Sequence, residues 1–291
     1  MAMTDAKFRP ALLVIDMQED FCPPNGSLAV PGGRSIAPLI NELLSLPSST
    51  LPLKIATKDW HPPNHISFAS NHPPPHNRPF VDTVTITNPN PNPNPPPPSS
   101  TPPSSSSSSS SSSTPSPSPQ KATHAAITTY TTRLWPAHCI QSTPGSSLIP
   151  ELRTSRLTHT IHKGTDPSVE MYSAFRDPFG GNDSGLASLL SRSRSGQDQG
   201  QGEGEGRVTD LYVVGLAADY CVRATAEDAV RWGVVPPGRV YVIEEGTRPV
   251  DAGGWEGVKR EMEGVGVKVV RWEGEEVRRL FGGVAGKGVE G

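Results

Sequence analysis

The chain has 291 residues, a net charge of −3 and an excess of Pro and Gly, a balance that gives no electrostatic case for nucleic acid or an anionic membrane surface. No apolar run approaches the length of a membrane span, and residues 1–10 lack the apolar core of a signal peptide. The three cysteines include no C-x-x-C pair, which argues against a disulfide framework and for a reducing, cytoplasmic compartment.

Ala11-Leu12-Leu13-Val14-Ile15 is a fully apolar run followed by Asp16. Such a run predicts a central parallel strand covered on both faces. Asp16 then sits at its carboxyl end, the edge on which open α/β sheets place their ligands. Taken alone, an Asp there does no more than end a strand. Phe21 and Cys22 lead into a Pro- and Gly-rich loop (Pro23 to Gly33). Ser35 to Leu46 predicts an amphipathic helix, with Ile36, Leu39, Ile40, Leu43 and Leu44 at helical spacing.

Leu53 to Thr57 predicts a second strand that runs straight into Asp59-Trp60-His61-Pro62-Pro63-Asn64-His65. One carboxylate and two imidazoles so close together form a dense cluster of metal-type ligands. Asp59 and His61 point the same way if the segment is extended, although isolated D-x-H triplets are common and carry little by themselves. From about 88 to 120 the sequence turns to Asn-Pro repeats, a proline run and a long serine run. That composition cannot offset its own ordering entropy, so a disordered insert within the domain is expected. Leu134 to Ile140 resumes ordinary sequence, with His138 a candidate third metal ligand, Trp135 a candidate wall for a planar substrate, and Cys139 a buried small hydrophobe.

His159 to Lys163 predicts another strand, which puts Lys163 at the same sheet edge as Asp16, and Met171 to Phe175 forms a loop able to close over that edge. A short helix around 186–190 is followed by a second expected disordered insert, 191–206, rich in Ser, Gln, Gly and Glu. Leu211 to Leu216 is again almost uninterrupted apolar, then Ala217 and Ala218 keep the turn small. Cys221 is expected in the first turn of the next helix, where unpaired N–H groups and the macrodipole favour a thiolate. A strand at Val240 to Ile243, an exit loop from Glu244 to Pro249, a helix at Trp255 to Glu263, a strand at Val267 to Val270 and a helix at Glu275 to Phe281 complete the chain. Repeated β-α-β order predicts an α/β fold: a three-layer αβα sandwich around a mainly parallel, about six-stranded sheet, with 1–291 as a single domain. The glycines match neither a phosphate-binding loop nor the dinucleotide fingerprint.

Four separated motifs occur in order: Val-Ile-Asp-Met-Gln-Glu-Asp-Phe (14–21), Asp-Trp-His-Pro-x-x-His-x-Ser-Phe (59–68), Trp-Pro-x-His-Cys (135–139) and Gly-x-Ala-x-Asp-Tyr-Cys-Val (215–222). With Lys163-Gly164 and Tyr172-Ser173-Ala174-Phe175, the set resembles the nicotinamidases of the isochorismatase-like cysteine hydrolase family. The resemblance covers the chain outside the two inserts. It implies a metal-dependent amide hydrolase, Rossmann-like in fold, that converts nicotinamide to nicotinate in the salvage of NAD. It implies a catalytic triad of Asp16, Lys163 and Cys221, and one divalent ion, zinc by preference, on Asp59, His61 and His138, with His65 a weaker candidate ligand. Phe21, Trp135 and Tyr220 would line the pocket. A non-proline cis peptide before Ala217 would aim the N–H groups of Ala217 and Cys221 at an oxyanion. The partner is a small molecule rather than nucleic acid or membrane, and association of identical copies is left open.

Other substrates stay open within the same superfamily: a carbamoyl or ureido compound, a pyrazinamide-like amide, or isochorismate. Its vinyl-ether hydrolases do without the cysteine and its carbamoyl hydrolases generally without the metal set, whereas this sequence has both. A non-catalytic metal-binding or redox-sensing protein is the alternative from another class, and it has no use for Asp16 and Lys163 beside Cys221.

Overall fold

The computed structural model describes residues 8–89, 128–191 and 207–282. The insert expected at 88–120 lies outside the described residues except for 88 and 89, and that at 191–206 except for Ser191. In chain order the elements are β1 (Pro10–Ile15), α1 (Ala37–Ser45), β2 (Leu53–Asp59), β3 (Thr83–Thr87), β4 (Thr129–Arg133), β5 (His159–Lys163) and α2 (Leu186–Ser191). They continue with β6 (Asp210–Leu216), α3 (Arg223–Arg231), β7 (Val240–Arg248), α4 (Trp255–Gly264), β8 (Val267–Val270) and α5 (Glu275–Leu280). Six of the strands make one sheet in the order β5-β2-β1-β6-β7-β8, and every neighbouring pair in it is parallel. From β1 the order runs outward through β2 to β5 on one side and through β6 to β8 on the other. The crevice between the carboxyl ends of β1 and β6 is therefore the topological switch point, where such sheets bind ligands.

Alternation along β1 sorts the core into two layers. Leu12 and Val14 pack with Ile40, Leu43 and Leu44 of α1 and with Val277 and Leu280 of α5. Ala11, Leu13 and Ile15 pack with Leu186 and Leu190 of α2, Ala226 and Ala229 of α3, and Met262 of α4. Both faces of the central strands are covered, which is why their sequences read as unbroken apolar runs. The three-layer α/β architecture expected from the sequence is the one observed. Among the described residues no helix is long and apolar enough to cross a membrane.

Three features differ from the sequence reading. β2 continues to Asp59, two residues beyond the expected strand end. β7 continues to Arg248, through the residues expected to form an exit loop. A register shift between Val213 and Gly215 lets Gly215 and Leu216 pair with Thr247 and Arg248, so polar Glu244 and Glu245 fall where pairing is interrupted and look like a loop. The antiparallel hairpin of β3 and β4 was not expected either. Its Thr83-Val84-Thr85-Ile86-Thr87 alternation is a strand signal, but the two arms are separated by residues 88–128 and no short turn marks the pair.

Gly215 closes the approach of β6 to β1. Its φ of 114° lies in a region other residues avoid, and a Cβ there would meet Ile15 O at 2.0 Å and Ile15 N at 2.6 Å. Gly215→Ala is expected to lower the unfolding free energy by about 3 kcal/mol or more, read as an earlier urea midpoint at constant slope. A loss below about 1 kcal/mol would show that this strand end yields to a side chain.

Candidate active site

The carboxyl ends of four parallel strands meet at one place. Asp16 follows β1, Asp59 ends β2, Lys163 ends β5, and Cys221 lies just past β6. Asp59 and Lys163 are register partners in the β2–β5 ladder, which fixes their side chains on one side of the sheet. Asp16 is held by Thr57, whose Oγ1 donates to Asp16 Oδ1 at 2.6 Å and accepts from Asp16 N at 3.1 Å. Cys221 was expected in the first turn of a helix. It sits instead in a π-turn, Ala218–Val222, that precedes α3, since Val222 N and Tyr220 N both bond Ala217 O at 3.1 Å. Such turns are rare and concentrate at functional sites.

Lys163 Nζ is the hub. It contacts Asp16 Oδ2 at 3.1 Å, donates to Cys221 Sγ at 3.2 Å and Met171 O at 3.3 Å, and bonds Asp59 Oδ1. All four side chains are buried. Burial works against the Lys163 charge, yet Asp16 and Asp59 hold its pKa well above the usual lysine value. Burial pushes the Asp16 carboxyl up to about 6, against the pull of Lys163. The same burial acts on Asp59, but Lys163, His61 and His138 outweigh it and keep that carboxyl below the ordinary range. Burial raises the Cys221 thiol well above its usual value, with Lys163 pulling the other way.

Asp59, His61 and His138 form a second cluster, with one ligand atom from each within 4.8 Å of the others. His61 Nδ1 bonds Gly164 O at 2.8 Å and His138 Nδ1 bonds Pro136 O at 2.8 Å. A carbonyl accepts, so each Nδ1 carries a proton and each Nε2 faces Asp59, the orientation metal-binding imidazoles adopt; burial opposes a charge on His61, but Asp59 outweighs it and raises the His61 pKa. His61 Nε2 is buried without any hydrogen-bond partner, which a cation would relieve. Burial lowers His138 to about 4, keeping the imidazole neutral as a ligand must be. The trio therefore fits a divalent ion. His65 packs against His61 at 4.0 Å between ring centroids, the rings tilted by 34°, but its nitrogens are engaged by Ser67 Oγ at 2.8 Å and Val169 O at 3.2 Å.

His138 reaches the trio although residues 88–128 intervene, because backbone pairing ties the two motifs together. His61 N donates to Cys139 O at 3.1 Å and Gln141 N to His61 O at 2.9 Å, while Trp135 N donates to Ser67 O at 2.8 Å. The carboxylate of Asp20 accepts from Cys139 N at 2.7 Å.

A cleft opens over these groups, lined by Phe21, Leu28, Val30, Asp59, Trp135, His138, Glu170, Tyr172, Ala217, Tyr220, Cys221 and Val250. Phe21, Trp135 and Tyr220, the candidate substrate residues, all face it. Trp135 meets Tyr220 edge-on at 5.0 Å, giving apolar walls suited to a flat ring. The peptide Leu216–Ala217 is cis, as the resemblance implies. A larger depression runs along α1 past Arg34 and Glu151, but those two are ion-paired at 2.8 Å, and among the described residues no metal-type cluster lies there.

Two functional-looking residues escaped the sequence reading. Gln18 clamps the end of β2: its Nε2 donates to Asp59 O at 2.8 Å and Ser146 O at 3.0 Å, and its Oε1 accepts from Asp59 N at 2.8 Å. Its place inside the 14–21 motif was a usable signal. Glu170, a buried carboxylate on the cleft wall, has no local signature.

The family model described as the isochorismatase domain matches residues 118–274. A nicotinamidase of Escherichia coli (strain K12) is 32% identical over 241 residues, which span 83% of this chain and 84% of that one. The solved yeast nicotinamidase bound to the inhibitor nicotinaldehyde superposes with a TM-score of 0.67 at 28% identity, covering 90% of this chain and 99% of that one. A pyrazinamidase of Pyrococcus horikoshii solved in complex with zinc gives a TM-score of 0.55 at 28% identity, over 90% of this chain and 99% of that one.

Titration with Zn²⁺ is expected to load a single ion per chain. His61→Ala and His138→Ala should each weaken that binding by about 100-fold or more, and His65→Gln by far less, because both of its nitrogens already have protein partners. Equal losses in all three variants would place His65 among the ligands.

Proposed function

This chain belongs to the isochorismatase domain family, and from that membership we propose that it is a nicotinamidase, converting nicotinamide and water to nicotinate and ammonia. One observation carries the reading. A single buried ammonium, Lys163 Nζ, touches Asp16, Asp59 and Cys221, so a nucleophile with its base and a metal-type cluster open into the same cleft.

An amide carbonyl is a poor electrophile, and a thiol needs activation to attack it. With its carboxyl at about 6, Asp16 is mostly ionised at neutral pH, while Cys221 keeps its proton. Asp16 takes that proton as sulfur attacks the carboxamide carbon, and Lys163 stabilises the charge growing on sulfur. The N–H groups of Ala217 and Cys221, residues that both line the cleft, serve the oxyanion. Protonated Asp16 then donates to the departing ammonia, leaving the acyl group on Cys221 as a thioester. Asp16 next accepts a proton from the attacking water, and Cys221 leaves, regaining its thiol.

The divalent ion, which we take to be zinc, would be held by Asp59, His61 and His138 and would supply a Lewis-acidic point of attachment for the pyridine nitrogen. The nitrogen- and oxygen-donor set and the zinc in the archaeal pyrazinamidase support that choice. Phe21, Trp135 and Tyr220 hold the ring between them. A redox-sensing role for Cys221 is disfavoured, because such thiols are exposed and acidic, whereas this one is 5% exposed with its pKa raised. We assign the whole chain to one hydrolase domain of a reducing compartment, in keeping with its free cysteines.

Cys221→Ala is expected to cut ammonia release from nicotinamide by at least ~1000-fold with the fold retained, and Asp16→Asn to do nearly as much. Exhaustive chelation should abolish turnover and Zn²⁺ restore it. Full activity in Cys221→Ala would sink the mechanism.

A further inference from the structure

The β3–β4 hairpin stands outside the six-stranded sheet and no part of the reaction above uses it. One of its side chains nevertheless reaches the back of the substrate wall. Thr132 of β4 is 4% exposed, and its hydroxyl shares a hydrogen bond with Tyr172 Oη at 2.8 Å. The same phenolic oxygen accepts from the Trp135 indole Nε1 at 2.9 Å. Trp135 and Tyr172 line the cleft, and Tyr220 meets them at ring distances of 5.0 and 5.4 Å. Tyr130, two residues before Thr132, lies on the same side of the strand.

We propose that Thr132 is a positioning residue for the substrate: its hydroxyl holds Tyr172, and through it Trp135, at the angle that receives a planar ring. The proposal rests on the nicotinamidase reading for its ligand. Thr132 is placed by the hairpin alone, through register pairing with Val84, and the next residues tie the hairpin base to the wall, Leu134 N donating to Asp82 O at 2.9 Å and Phe80 N to Leu134 O at 2.8 Å. Two aromatic side chains from loops distant in sequence thereby take their orientation from one β-branched hydroxyl. Valine matches threonine in shape and lacks the hydroxyl. In its place Tyr172 Oη, half-buried at the cleft wall, loses a partner, and a phenol in that state turns to find another. The Trp135 N–H turns with it.

The test compares the full chain with Thr132→Val and Thr132→Ser, loaded with zinc. Thr132→Val is expected to raise KM for nicotinamide about fivefold to tenfold with kcat changed by less than about twofold, since the chemistry at Cys221 is untouched. Hydrogen exchange at the Trp135 indole, followed by NMR and assigned with Trp135→Phe, should quicken about tenfold. Thr132→Ser, which keeps the hydroxyl, should restore both. An unchanged indole signal in Thr132→Val overturns the proposal. So does a fall in kcat and melting temperature that Thr132→Ser fails to repair, the mark of a hairpin that is only structural. A wild-type chain that releases no ammonia overturns the nicotinamidase reading by itself, and the indole exchange still decides the role of Thr132.

Discussion

The Lys163 ammonium is buried among carboxylates, and the rest of the site follows from how it is satisfied. An unpaired charge in that position would cost several kcal/mol, so Asp16 and Asp59 must both be there, ionised and close. Their closeness depends on strand register. Asp59 pairs with Lys163 across the β2–β5 ladder, while the neighbours one residue away face outward. His162 stacks on Trp60 at 4.4 Å, and Lys58 lies over that same indole at 4.4 Å. A one-residue slip would exchange the two sets and leave a surface cation where the hub belongs. The outer stack therefore helps to hold the register on which the inner charges depend.

Two buried carboxylates that share one ammonium are driven apart in acidity by their other neighbours. Asp16 has a threonine hydroxyl and an oxygen without a hydrogen bond, and burial prevails, raising it. Asp59 faces His61 and His138 as well as Lys163, and those positive or polar groups prevail, lowering it. Pairs of titratable groups pushed in opposite directions mark a division of labour. Here it fits the proposed division between Asp16 as proton carrier and Asp59 as metal ligand.

The insert between the two halves of the metal-type cluster is tolerated because its neighbours are pinned independently of it. Short backbone ladders join His61 to Cys139 and Gln141, and Ser67 to Trp135. The β3–β4 hairpin pairs the strands on either side of residues 88–128. Lengthening a connection costs little chain entropy, and the places of His138 and Trp135 are set by these pairings rather than by the length between them. The hairpin itself reaches the cleft wall, through Thr132 and Tyr172.

The sequence by itself determined the sheet, its layers and the residues at its carboxyl edge. Buried parallel strands announce themselves as apolar runs such as 11–15 and 211–216, and Asp16, Lys163 and Cys221 each follow or end a strand. Asp59, His61 and His138 stand in compact motifs, which made them candidate ligands without any contact map. Tertiary structure alone decided what depends on residues distant in the chain. The extension of β7 comes from a bulge against β6, and the π-turn at Cys221 from two amides converging on Ala217 O. The clamp by Gln18, the burial of Glu170 beside the cleft, and the chain from Thr132 through Tyr172 to Trp135 all join segments that only the fold brings together. Local patterning encodes burial and strand ends; the orientation of a polar atom is set by partners that no local pattern contains.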